Sequence, residues 1–179
     1  MKLSLFTPKP VALLDLYDAK EQPVRDAIKP KGLWVSCDGD DDWEAWCKAE
    51  NFNIGKYHFR QTVTLRGNCL VGLDQAGPGL VLHLTSLFDI EQATKIYGKE
   101  LYPGSRKWMD WVKLAEDYDG MIISPYIWAA RLHHEIMWYY PWDCASGYLI
   151  RPTKVVEAMG EPIPIDWTQK LLTNSSEEA

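Results

Sequence analysis

The sequence predicts an α+β fold, a single domain in which central, mostly antiparallel sheets carry flanking helices. Three observations predict it. Residues 57–65 alternate Tyr57, Phe59, Gln61, Val63 and Leu65 against His58, Arg60, Thr62 and Thr64. That period of two, rich in aromatic and β-branched side chains, is a strand signature. Residues 80–85 (LVLHLT) form a mostly apolar run after the turn Ala76-Gly77-Pro78-Gly79, as expected of a central strand. Elsewhere the spacing is helical: Trp43, Trp46 and Cys47 fall on one face, and Trp108, Trp111, Val112 and Ala115 repeat similarly.

Taken in order, Leu3–Thr7 reads as a first strand stopped by Pro8 and Pro10. Residues 11–19 fit a strand or one or two helical turns, and 19–28 a surface loop or short helix. The 29–51 stretch, KPKGLWVSCDGDDDWEAWCKAEN, reads as turn, strand, loop and helix. Its aspartates Asp40, Asp41 and Asp42 offer caps for a helix starting near Asp42 or Trp43. Residues 68–73 are expected to pair near the 57–65 strand. Helices are predicted over 90–97, ended by Gly98, over 107–117 and over 126–137; strands are predicted over 121–123 and 147–150. Residues 1–165 form the predicted domain, and 166–179 a polar, acidic tail expected to be mobile.

Composition narrows the function classes. A chain of 179 residues matches one domain of roughly 100–200 residues. Its 25% charged and 46% hydrophobic fractions are those of a soluble globular protein. The net charge of -6 argues against general nucleic-acid binding, despite a local concentration of Lys95, Lys99, Arg106, Lys107 and Lys113. Four cysteines without C-x-x-C spacing read as free thiols in a reducing cytosol. No signal-like start and no apolar run of ~20 residues is present, so the expected location is cytoplasmic, with no membrane partner.

Metal chemistry is not expected. The aspartate run lacks the downstream glycine and glutamate of a calcium loop. His133 and His134 are adjacent, so on a helix they point about 100° apart and lack H-x-x-x-H spacing. No G-x-S-x-G elbow, P-loop or G-x-G-x-x-G occurs. What remains is a corner in which a strand delivers Trp34 and Ser36 beside a helix delivering Trp43 and Trp46. Tryptophan clusters more often build core than ligand pockets, and Ser36 fits equally a strand-end hydroxyl bonded to nearby backbone.

The pattern KPxGLWxS, W..WC, YDGxxIxPY and WYYxWDxASG, spanning Lys29 to Ile150, resembles a set of uncharacterised bacteriophage and prophage proteins. The order of elements is similar to the ADP-ribosyltransferase fold. That resemblance implies NAD as substrate, with Gly32, Trp34 and Ser36 on the NAD-contacting strand and Trp43 or Trp46 walling the nicotinamide pocket. It implies a first-strand contact to the adenosine ribose, where this chain offers only hydroxyls, Thr7 among them. It also implies a catalytic carboxylate, for which Glu135 and Asp143 are the candidates. The function so implied is modification of a host macromolecule in the bacterial cytoplasm. The alternative is a non-enzymatic phage protein of the same fold that grips a host partner.

Overall fold

The computed structural model describes residues 1–19, 29–39 and 41–168. The loop or short helix expected over 20–28, the cap candidate Asp40 and the tail beyond residue 168 lie outside the described residues. The elements run β1 (Leu3–Thr7), β2 (Leu33–Cys37), α1 (Trp43–Glu50), β3 (Phe59–Leu65), β4 (Leu70–Val71) and β5 (Val81–Leu84). Next come α2 (Leu87–Tyr97), β6 (Gly98–Lys99), β7 (Trp108–Met109), α3 (Trp111–Asp117), β8 (Gly120–Ile123) and α4 (Trp128–Arg131). The chain closes with β9 (Ser146–Leu149), α5 (Pro152–Val155), β10 (Val156–Met159) and β11 (Ile163–Pro164).

This is a single-domain α+β fold built on one mixed sheet of nine strands, in the order β10-β3-β1-β2-β9-β8-β5-β4 with β11 also on β3. Pairing is antiparallel from β10 to β8, and parallel only where β8, β5 and β4 meet. Directly opposed residues share a face. Val35, Gly147, Ile122 and His83 therefore share one face, while Ser4, Ser36 and Ser146 line up across β1, β2 and β9 on the other. The 11–19 segment crosses the first face, where the Gln61 side chain accepts from Val11 N at 2.8 Å and donates to Val11 O at 2.9 Å.

Helix starts follow the capping chemistry that the sequence offers. Asp42 accepts from Ala45 N at 2.8 Å to open α1, and Ser86 accepts from Asp89 N at 3.2 Å to open α2. α2 begins at Leu87, earlier than its apolar spacing suggested. Two predicted helices are shortened by tertiary pairing. Trp108 joins β7, which pairs with β6, so the third helix starts only after the Asp110 cap. In the 126–137 segment only Trp128–Arg131 is helical. Lys107 N donates to Glu135 O at 2.7 Å and Met137 N to Lys107 O at 2.8 Å, so backbone groups that a helix would use internally bridge to another segment.

The core is aromatic as well as aliphatic. Trp111, Trp138, Trp142, Tyr118, Tyr139 and Tyr148 are all fully buried alongside Leu82, Leu84 and Ile122. Trp138 Nε1 donates to Thr94 Oγ1 at 2.8 Å and Tyr126 OH to Trp142 O at 2.6 Å, which satisfies polar tips that burial would otherwise leave unpaired. Trp167 Nε1 donates to Tyr57 O at 2.7 Å, so the chain stays packed on the domain two residues past the boundary expected at 165. No helix among the described residues is long and apolar enough to cross a membrane.

The centre of the sheet is closely packed. A Cβ on Gly147 would stand 2.6 Å from Ile122 Cγ1 and 3.2 Å from Val35 Cγ2, closer than carbon atoms pack. Gly147→Ala is therefore expected to destabilise the protein by about 1–3 kcal/mol, read as a lower urea midpoint. An unchanged midpoint would show that β2, β9 and β8 can part to admit a methyl group.

Candidate functional site

The serine-bearing face of the sheet holds a cleft of about 320 Å³ lined by Phe6, Trp34, Ser36, Trp43, Tyr57 and Asp143, with Lys29, Val35, Cys144 and Ser146. Each wall has a local cause. Trp34 and Ser36 alternate on β2 and so project to the same side. Ser36 Oγ accepts from Trp43 N at 2.9 Å, which fixes the start of α1 over the end of β2 and sets Trp43 across from Trp34. Ser36 is thus bonded to nearby backbone, yet its hydroxyl proton remains available to a ligand.

The tryptophan walls are braced from behind. Trp34 stacks on Tyr148 with centroids 5.2 Å apart, meets Trp142 edge-on at 5.3 Å, and donates from Nε1 to Pro30 O at 3.2 Å. Trp43 stacks on Trp46 at 5.1 Å, and Phe52 packs edge-on against both. Rings held by ring contacts lose little freedom when a ligand arrives.

Asp143 supplies the carboxylate of the cleft. Arg131 Nη2 lies 3.2 Å from its Oδ1, and Lys29 Nζ lies 4.0 Å from its Oδ2. Arg131 is held in turn by Tyr126, whose hydroxyl accepts from Nη1 at 3.0 Å. A second polar group braces the other side of β2. Arg60 donates to Ser4 Oγ at 2.9 Å and pairs with Asp38 at 2.8 Å and Glu44 at 3.5 Å, tying β3, β1 and α1 together. Desolvation raises the Asp42 carboxyl above its usual range, opposed by its bond from Ala45 N and by Arg60.

Of the residues singled out in the sequence, Trp34, Ser36, Trp43 and Asp143 share the cleft. Gly32, Thr7 and Glu135 do not line it. Gly32 packs against Tyr148, whose Cε2 would stand 2.3 Å from an added Cβ, so this glycine serves the Trp34–Tyr148 stack. Thr7 ends β1 with its Oγ1 buried and without a hydrogen-bond partner. Glu135 is an exposed side chain, 71% accessible, beside His134. Trp46 stands behind Trp43. Lys29 and Arg131, the two cations on Asp143, carry no motif in the sequence that marks them as site residues. Lys29 reads as part of a turn, and Arg131 as one position of the helix predicted over 126–137.

Among the described residues, no group of three or more His, Cys, Asp or Glu side chains is placed to hold a metal ion. Comparison with protein-family models, curated proteins and solved structures finds no match.

All four cysteines are buried and free. Burial is the main cause that pushes the Cys37, Cys47 and Cys144 thiols up to about 12. Thiols with a folded pKa above the unfolded value of about 8.5 stabilise the fold below that pH, and the contribution is lost as pH rises toward the folded value. The native protein is expected to resist a thiol-specific disulfide reagent at pH 7 and to react at all four cysteines once denatured. Its urea midpoint should fall as pH is raised above about 9. Fast labelling of Cys144 in the native state would mean that the cleft floor opens.

Proposed function

We propose that the cleft receives the nicotinamide end of NAD, and that the protein is an ADP-ribosyltransferase-like phage protein that modifies a host macromolecule in the bacterial cytoplasm. The observation that carries this reading is the meeting of Trp34, Ser36, Trp43 and Asp143 in one cleft. The cleft volume lies at the lower end of the roughly 300–1,000 Å³ range of small-molecule sites, which suits one ring and its ribose with the rest of the dinucleotide outside. Two tryptophans offer flat faces to a planar ring, and the Ser36 hydroxyl offers a hydrogen bond to a carboxamide.

The chemistry would be cleavage of the bond between nicotinamide nitrogen and ribose C1′. The electron pair leaves with nicotinamide, which becomes neutral, and positive charge develops on the sugar. Asp143 would stabilise that charge, and an acceptor nucleophile would close the new bond at C1′ as it loses its proton. Of the two carboxylates weighed, only Asp143 lines the cleft, so Glu135 has no part in this reading.

A second reading, a non-enzymatic protein that binds a host partner, is favoured by one specific feature. Arg131 and Lys29 already balance Asp143, which weakens it as a stabiliser of developing cationic charge.

NAD is expected to quench tryptophan fluorescence, and labelled NAD incubated with host lysate is expected to transfer its label. Asp143→Asn should lower that transfer by about 100-fold while Glu135→Gln leaves it intact. Absence of calorimetric heat at millimolar NAD would remove the enzyme. A stoichiometric partner in a pull-down, with no label transferred, would establish the binding protein in its place.

A further inference from the structure

We infer that the cleft is an organic-cation cage, and that the Lys29 ammonium is a built-in occupant which a quaternary ammonium or N-alkylpyridinium ligand displaces. Lys29 Nζ lies 5.4 Å from the Trp34 ring centroid and 6.0 Å from that of Trp43. Both distances fall within the roughly 6 Å over which a cation is held by a ring face, and tryptophan is the strongest such ring. Phe6 and Tyr57 add further aromatic wall, and Asp143 is the carboxylate in the same lining. Aromatic faces with one carboxylate are the composition of a site that recognises positive charge.

The geometry favours a cation without N–H groups. An ammonium that donates to a carboxylate sits about 2.7–2.9 Å from it. Lys29 Nζ stands 4.0 Å from Asp143 Oδ2, the separation left when a methyl group intervenes. Arg131 holds the other Asp143 oxygen at 3.2 Å, so the carboxylate keeps its charge-assisted contact without Lys29. A methylated ammonium would therefore keep the ring and carboxylate attractions while giving up no hydrogen bond. The walls are braced by the Tyr148 and Trp46 stacks, so the cage stands ready whichever cation fills it.

Lys29 is also able to leave. Its side chain is 42% exposed, and it enters β2 through Pro30 rather than from within a helix or strand. Moving the ammonium into water restores its hydration, and the ligand cation takes its place between the rings. This inference deepens the nucleotide reading, because oxidised nicotinamide in NAD is a pyridinium cation and the reduced ring is neutral. Positive charge becomes the feature recognised.

The test uses the full chain, choline and its neutral isostere 3,3-dimethylbutan-1-ol, followed by calorimetry and tryptophan fluorescence. Choline is expected to bind and the isostere to fail over the same range. Lys29→Met should tighten choline about tenfold by removing the competing charge, with near-ultraviolet circular dichroism unchanged. Lys29→Gln serves if methionine disturbs folding. Trp43→Leu should abolish the choline response. Equal binding of choline and isostere, or no tightening in either Lys29 variant, overturns the cage. Parallel titrations with oxidised and reduced NAD separate the two readings. Choline binding without any NAD response leaves the cage and removes the nucleotide. Equal binding of both NAD forms without choline binding removes the cage and leaves the nucleotide.

Discussion

Four residue pairs, Leu33↔Leu149, Trp34↔Tyr148, Val35↔Gly147 and Ser36↔Ser146, join two distant stretches of chain as β2 and β9. Everything in the cleft depends on that register. It sets Trp34 over Tyr148, and it leaves room for the stack only because Gly32 lacks a side chain. It also delivers the residues just before β9, Asp143 and Cys144, beside the end of β2. A slip of one residue would turn Trp34 and Ser36 to the opposite face and dissolve the site while keeping both strands.

The same register explains how a cleft survives in a protein with so much aromatic core. Trp142, Tyr148 and Trp111 are fully buried and make a rigid floor under Trp34. Trp43 and Trp46 stay partly exposed on α1, which turns Cys47 inward and is tied to the domain through Ser36 at its start and through the Glu44–Arg60 pair. The opening lies between a wall that belongs to the core and a wall that belongs to a short helix. Both readings of tryptophan, as core and as pocket, therefore hold for different members of one set.

Charge completes the arrangement. Arg131 and Lys29 reach Asp143 from separate parts of the chain, one on α4 and one ahead of β2. Neither pair is deeply buried, so neither contributes much to stability. Their consequence is local: they orient a carboxylate at the mouth of an aromatic cleft and leave a cation standing between two indole faces.

Much of this was legible in the chain. The alternation of 57–65, the apolar run of 80–85 and the capping aspartate Asp42 mark their elements because strand alternation and helix caps are local properties. The grouping of Trp34, Ser36 and Trp43 was legible for the same reason, since one turn separates their strand and helix. What local pattern could not supply was long-range pairing. Trp108 joins β7 and the 126–137 segment abandons its helix because distant backbone groups compete for their hydrogen bonds. Asp143 rather than Glu135 reaches the cleft because β9 pairs with β2, and Lys29 meets two rings because α1 folds back over that strand. By itself the sequence determined the elements that carry a local signature and the aromatic character of the site. Tertiary structure alone decided which carboxylate and which cations face it, because charges gather by sheet register, and register is written across the whole chain.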